Sequence, residues 1–302
     1  MPHKFDVACV GRVMVDFVFT DLPGPPAIGE DHEVNTYVAD IGGGTAITAI
    51  ALSRLEIKTA IVASIGTDLM GAYIRDTLRQ QQVDLTYLSS STSPTNVSIE
   101  LSYQHDRSTV SCKALDYGAY DSAPIVFLGT ADHIHVRGLN RAKADLLIAA
   151  HQQGHPTSVD AHFASVTERE LFAEVSNHID YLLINAREAA RLISAESVEK
   201  AAQILGTRVG KYAVIKCGAR GAVASDGRDI LTSPAFPTTA TDTTGAGDAF
   251  NAGLLMGILQ NEPIRSCLRI ANAMGALNVR KAGGTTSMPT RRELLHLLEA
   301  HV

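Results

Sequence analysis

Short apolar runs at residues 7–10, 59–64, 125–127, 133–136, 157–159, 181–184 and 212–215 alternate with helical stretches at 45–55, 69–81, 141–152, 188–193 and 198–205. An apolar run of four to eight residues without polar alternation suits a strand buried on both faces. Strands of that kind taking turns with helices predict an α/β fold: a mostly parallel sheet with helices on both faces, in three layers. The 302 residues suffice for one such domain with a sizeable core, residues 1–302.

Two segments break the rhythm. Residues 17–41 contain Pro23, Pro25 and Pro26 and then an alternating stretch around 32–38. In residues 96–112, Val97, Ile99, Leu101 and Tyr103 alternate with Ser98, Glu100 and Ser102. Both predict antiparallel strands with one wet face, which on their own could be an edge hairpin. Ser89-Ser90-Ser91-Thr92-Ser93-Pro94 reads as a polar connection.

Composition narrows the function. Apolar residues at 45% and charged residues at 19% fit a globular enzyme and exclude a disordered chain. A net charge of −6 without a basic run argues against nucleic acid or an anionic membrane as partner. No apolar stretch reaches the roughly 18 residues of a membrane span. Residues 6–19 read as a strand-like run broken by Arg12 and Asp16, which speaks against a secretory leader. Cys9, Cys112, Cys217 and Cys267 lie far apart, with no Cys-x-x-Cys pair, and read as buried reduced thiols rather than a zinc site. Together these features predict the cytoplasm.

The chemistry concentrates in Asp242-Thr243-Thr244-Gly245-Ala246-Gly247-Asp248-Ala249-Phe250, which leads into a helical pattern through Asn251, Leu254, Leu255 and Ile258. Glycines allow a sharp turn and a close backbone approach to a ligand. Free N–H groups at the helix start then face an anion, with the positive end of the helix dipole behind them. Asp248 falls in that first turn, so a general base and a developing negative charge would share one small space. A generic Gly-x-Gly-Asp would more simply be a helix start whose Asp favours the dipole.

The whole string resembles the C-terminal signature of the PfkB (ribokinase-like) carbohydrate kinases, and the resemblance extends over nearly the whole chain. It implies a ribokinase-like sandwich, ATP as phosphoryl donor, Asp248 as base and the amides of Gly245, Ala246 and Gly247 as anion hole. Gly11-Arg12-Val13-Met14-Val15-Asp16 matches the place where the family binds sugar hydroxyls through an Asp, here Asp16. Ile41-Gly42-Gly43-Gly44 matches the N-terminal signature, in which Gly42 and Gly43 bring backbone close to the sugar. Asn185-Ala186-Arg187-Glu188 resembles the family's Asn-x-x-Glu, implying Asn185 near the phosphates and Glu188 organising Mg²⁺ through water; the same pattern is a common capped helix start. Lys216, Gly218 and Gly221 fall where relatives contact nucleotide, although a strand-end lysine can equally stand in solvent. Asn272 matches the adenine wall, and Asp242, Thr244, Gly283 and Ser287 match K⁺ ligands. The segments 17–41 and 96–112 become a β-sheet lid over the sugar, through which relatives often form homodimers.

The acceptor side departs from the ribokinase pattern, with Met14 in place of one Asn and Ile47, beside Thr48, in place of another. Arg137, and Arg107 in the lid, would suit a sugar acid or sugar phosphate if they face the pocket, and are solvated surface residues otherwise. A nucleoside kinase and a non-catalytic ligand sensor are the alternatives on the same scaffold. The helix dipole predicts an Asp248 that is ionised at neutral pH at some cost in basicity. Residues 206–212 resemble a P-loop but have one residue too few between the glycines and precede a strand, so they predict a helix-to-strand connection. His133 and His135 alternate on a strand without a third metal ligand.

Overall fold

The computed structural model describes residues 3–29, 31–103, 107–117, 125–280, 284–285 and 287–301. The chain opens with β1 (Phe5–Val10), β2 (Met14–Leu22), β3 (Tyr37–Gly42) and α1 (Gly44–Arg54). It continues through β4 (Thr59–Gly66), α2 (Leu69–Gln80), β5 (Asp84–Ser91), β6 (Val97–Tyr103) and β7 (Arg107–Cys112). A regular alternation follows: β8 (Ala131–Arg137), α3 (Arg141–Gln152), β9 (Thr157–Asp160), α4 (Val166–Val175), β10 (Tyr181–Asn185), α5 (Ala186–Leu192), α6 (Val198–Gly206) and β11 (Tyr212–Lys216). The hairpin β12 (Ala222–Ser225) and β13 (Ile230–Ser233) precedes α7 (Ala246–Leu259), α8 (Ile264–Asn278) and α9 (Arg291–Glu299).

The main sheet has the order β13-β12-β11-β10-β9-β8-β1-β4-β5 and is parallel from β11 to β5, with β12 and β13 antiparallel at one edge. Successive side chains of a strand point to opposite faces, and here both faces are covered. Ala8, Val10, Ile134, Val136, Val159, Leu182 and Ile184 pack in one cluster with side chains of α3, α4, α5 and α6. Val7, Cys9, Ile61 and Ala63 pack on the other face with α1, α2, α7, α8 and α9, and Leu183 and Val214 join α7 and α8 there. The uninterrupted apolar runs of the sequence are therefore strands with two buried faces. The chain places β4 and β5 on one side of β1 and β8 to β11 on the other. Such a reversal leaves a crevice at the carboxyl ends of the strands, where ligands of open α/β sheets bind.

A second sheet has the order β3-β2-β6-β7. The β2–β3 and β6–β7 pairs are antiparallel as expected, but β2 and β6 are parallel. The chain travels through β4, α2 and β5 between them, which is the crossover a parallel pair requires. The side chains alternate as predicted, and the apolar face is buried only at its base, where Val15 and Ile41 join the core. The row Asp40–Asp16–Ser98–Ser111 lies in register, and Ser98 is 7% exposed. The apolar row Ala39–Phe17–Ile99–Val110 leaves Ile99 41% and Val110 71% exposed. Away from that base the polar row is the more buried of the two.

Other expectations are corrected. Residues 125–127 form no strand; Ile125 and Val126 are exposed, and a 3-10 turn follows at Leu128–Thr130. Ser89, Ser90 and Ser91 belong to β5, an edge strand whose polar side chains reach solvent. The β12–β13 hairpin, α4 and α9 add to the elements expected from the apolar runs. Cys9 and Cys267 are buried, but Cys112 is exposed and Cys217 partly so; all four are free. The P-loop-like segment joins α6 to β11, as its spacing indicated. Among the described residues, no helix is long and apolar enough to cross a membrane.

Candidate active site

The C-terminal ends of β8, β9, β10 and β11 carry Arg137, Asp160, Asn185 and Lys216. The register aligns Arg137 with Asp160 and Asn185 with Lys216. Above them begins α7. Gly245 caps this helix with φ 74°, a left-handed conformation that suits glycine, and an added β-carbon would come 2.9 Å from Gly284 O. The Ala246 N–H, expected in the anion hole, turns back instead to Thr243 O at 3.2 Å, and the Ala249 N–H bonds Gly245 O at 2.8 Å. Among the described residues, the N–H groups of Gly247 and Asp248 have no such backbone acceptor. These are the orphan donors of a helix start, available to an anion.

Asp248 stands beside them with its side chain 13% exposed. The Thr48 hydroxyl of α1 donates to Asp248 Oδ1 at 3.4 Å, and Arg137 Nε lies 4.0 Å from the same oxygen. Burial pushes the Asp248 carboxyl up to about 6, with Arg137 pulling it down and the like charge of Asp160 adding to the rise. Desolvation of the buried carboxylate is the largest contribution to that rise. The group is still mostly ionised at neutral pH.

Arg137 faces the site, 18% exposed, with Nη1 2.7 Å from Asp160 Oδ1 and Nη2 3.4 Å from His162 Nε2. Lys216 is no solvated strand end: its Nζ donates to Asp160 Oδ2 at 2.9 Å and to Asn251 Oδ1 at 3.1 Å. Burial opposes the ionised form of Asp160, but Arg137 and Lys216 override it and hold the carboxyl far below the usual carboxylate range. The end of β8 is fixed from below, since the buried Lys143 donates to Arg137 O at 2.7 Å and pairs with Asp116 at 2.8 Å. Asp160, Asn251, His162 and Thr48 are the functional neighbours that sequence reasoning missed. The available signal for Asp160 was its position directly after the run 157–159, at a parallel strand's carboxyl end.

On the acceptor side, Asp16 lies against Gly42, where an added β-carbon would run into its carboxylate. A β-carbon on Gly44 would come 2.6 Å from Asp248 Oδ1. The Gly42–Gly44 turn thus lies between the two acids and requires residues without side chains. Gly43 caps α1, its carbonyl accepting from Ala46 N at 2.9 Å and Ile47 N at 3.2 Å. Ile47 is buried against Gly245 and Gly284, and Met14 is buried as well. Burial raises the Asp16 carboxyl to about 6, aided by the like charges of Glu100 and Asp40 and opposed by Lys113.

The remaining expected residues are spread over several elements. Asn185 caps α5, accepting from Glu188 N at 2.9 Å, while Glu188 Oε2 accepts from Asn185 N at 2.7 Å. Glu188 Oε1 lies 2.9 Å from His162 Nδ1. The capping box is therefore real, and it leaves Glu188 a buried carboxylate with both oxygens already engaged. Gly218 and Gly221 form the tight turn after Lys216, with Gly221 N donating to Gly218 O at 2.9 Å. Asn272, buried on α8, donates to Ser233 O and Ser233 Oγ at 3.0 Å and pins the end of β13. Asp242 Oδ1 accepts from Thr244 N at 2.9 Å. Ser287 Oγ accepts from Asn278 Nδ2 at 3.0 Å, and the buried Asn278 Oδ1 has no hydrogen-bond partner among the described residues. Gly283 lies outside the described residues, and Arg107 opens β7. His133 Nε2 and His135 Nδ1 both lie 2.8 Å from Ser158 Oγ, and burial lowers them to about 3 and about 4, as expected of core histidines.

Comparison with known proteins bears on the family and the fold. The model of the pfkB family carbohydrate kinases matches residues 4–291. The chain is 26% identical to a ribokinase of Bacillus subtilis, over 97% of this chain and 99% of the relative. It is 28% identical to a nucleoside kinase of Methanothermobacter thermautotrophicus, over 97% and 95%. Its fold superposes on an Arabidopsis thaliana ribokinase solved with ribose and ATP, with a TM-score of 0.83, 23% identity and 99% of each chain covered. The chain belongs to the pfkB family of carbohydrate kinases and has the ribokinase fold.

Proposed function

We propose that this kinase transfers the γ-phosphoryl group of ATP to a hydroxyl of a sugar or sugar derivative, with Asp248 as general base. The observation that carries the reading is one carboxylate, raised to about 6 by burial, in the same helical turn as two unpaired backbone N–H groups. Asp16 accepts hydrogen bonds from acceptor hydroxyls over the Gly42–Gly43 backbone, and charge-assisted bonds of that kind are strong and directional. The presented hydroxyl oxygen forms the new O–P bond while the bond from the γ-phosphorus to the β–γ bridging oxygen breaks and ADP leaves. The hydroxyl proton passes to Asp248. The N–H groups of Gly247 and Asp248, with Gly245 fixing the turn, stabilise the charge on the phosphates.

The residues fit the ions that the family implies. Glu188, with both oxygens hydrogen-bonded, suits an outer contact through water, and Mg²⁺ there would neutralise phosphate charge. Asn278 Oδ1, without a partner among the described residues, is a spare acceptor beside Ser287, where Asp242, Thr244 and Ser287 would hold K⁺. Lys216, Gly218, Gly221, Asn185 and Asn272 lie along the edge that ATP would occupy. The exposed Ile99 and Val110 on the second sheet suit a second copy of the chain, giving a homodimer through the lid.

The test is an ADP-release assay over sugars, sugar acids, sugar phosphates and nucleosides, with and without K⁺. Turnover on a sugar class is the expected result, and ATP consumption with none of them would leave only a binding role. The buried apolar Met14 and Ile47 favour a second reading, a nucleoside acceptor, which the nucleoside arm decides.

A further inference from the structure

Asp160 is 2% exposed and has no part in the reaction as written, yet three of its bonds lead to the reacting centre. Arg137 Nη1 is at 2.7 Å, Lys216 Nζ at 2.9 Å and Asn251 Nδ2 at 2.5 Å. The first partner also stands 4.0 Å from the base, Arg137 Nε to Asp248 Oδ1. The second lies 3.6 Å from the β-carbon position of Gly247, whose N–H faces the anion site. The third is three residues after Asp248 on α7, on the same face of the helix. Lys216 Nζ and Asn251 Oδ1 close the ring at 3.1 Å.

We propose that Asp160 is a positioning residue for phosphoryl transfer: a buried anion that holds Arg137 beside the base and Lys216 beside the anion hole, and fastens both to α7. The proposal rests on the kinase reading of Asp248. Two cations this close, with side chains 18% and 12% exposed, repel each other unless a shared carboxylate lies between them. The sharing leaves donors over. A lysine ammonium has three and a guanidinium five; Asp160 and Asn251 take two of the former, and Arg137 Nε remains turned to Asp248. A bond network serving stability alone has no need to aim these donors at the base and the anion hole. The charged groups facing Asp248 are Arg137 from β8, Asp160 from β9, His162 from the loop after β9 and Lys216 from β11, with the Thr48 hydroxyl from α1.

The experiment compares wild type, Asp160→Asn and Asp160→Glu. It measures thermal unfolding, kcat and KM, the pH profile, and the titration of the Asp248 carboxyl by ¹³C NMR, assigned by its loss in Asp248→Asn. For a folded Asp160→Asn, kcat falls roughly tenfold to a hundredfold, since small misplacements of reacting groups cost that much, while KM for ATP changes less. The Asp248 midpoint falls, because a like charge is gone and both cations turn toward it. Asp160→Glu restores the midpoint but only part of kcat. A folded Asp160→Asn with unchanged kcat and Asp248 midpoint overturns the proposal. If that variant does not fold, Arg137→Gln and Lys216→Gln decide: each removes one cation and should raise the midpoint, and no movement in either overturns the proposal. A wild type that consumes no ATP with any acceptor sinks the kinase reading instead. The carboxyl titration then still decides whether Asp160 sets the charge around Asp248.

Discussion

Asp248 and Asp16 are both carboxylates raised to about 6 by burial, but their surroundings have opposite sign. Asp248 is held on a rigid helix start among Arg137, Lys216 and His162, which all lower it, with Asp160 as the like charge. Asp16 lies on the small sheet with Glu100 and Asp40, which raise it, while Lys113 opposes them. A base must accept a proton and then tolerate phosphate nearby, so cations suit its neighbourhood. A group that recognises hydroxyls gains from a concentrated negative charge. Under the proposed reading, the same shift serves chemistry in one region and recognition in the other.

The largest effect should come from removing the base. Asp248→Asn should lose roughly 10²–10⁴ in kcat while still binding ATP, measured by ADP release; near-normal turnover would break the contrast. Wild-type kcat/KM should fall as pH drops through about 6. Stability should move the opposite way. A carboxyl raised from its ordinary value near 3.9 contributes stability below that value and loses it as pH rises through the folded value. At pH 8 Asp248→Asn should thus resist unfolding by about 1–3 kcal/mol more than wild type, and the gap should close near pH 4.

Asp16→Asn should act on binding. Loss of a charge-assisted hydrogen bond of about 1.5–3 kcal/mol predicts roughly ten- to a hundredfold in kcat/KM, mostly through acceptor KM. An equal fall in kcat would show that both acids serve chemistry. The smallest effect on the monomer should come from Val110→Glu on the exposed apolar row, within about 0.5 kcal/mol of wild type. The same change should dissociate a homodimer, read by light scattering; a dimer that persists would move the interface elsewhere.

Much of this was legible beforehand. Two-sided apolar runs marked β1, β4, β8, β9, β10 and β11, because burial on both faces demands them. The string from Asp242 to Asp248 marked the candidate site because glycines, a helix start with free N–H groups and a carboxylate are local features. Residues 125–127 misled, because three apolar residues can form a turn. The sense of β2 and β6 was hidden, since pairing direction depends on the intervening crossover and not on either strand. Asp160 was missed for a similar reason: a single Asp after a strand gains meaning only when β8 and β11 bring cations to it.

The amino-acid sequence by itself determined the layered α/β fold and the glycine turns, and it singled out the carboxylate proposed as base, since each follows from periodicity or from neighbours in the chain. Tertiary structure alone decided the charge around that base and the orientation of the small sheet. Arg137, Asp160, Lys216 and Asn251 are drawn from β8, β9, β11 and α7, and their interactions depend on distance in space. The inward turn of Asp16 and Ser98 follows from what the sheet covers, which no alternation of residues records.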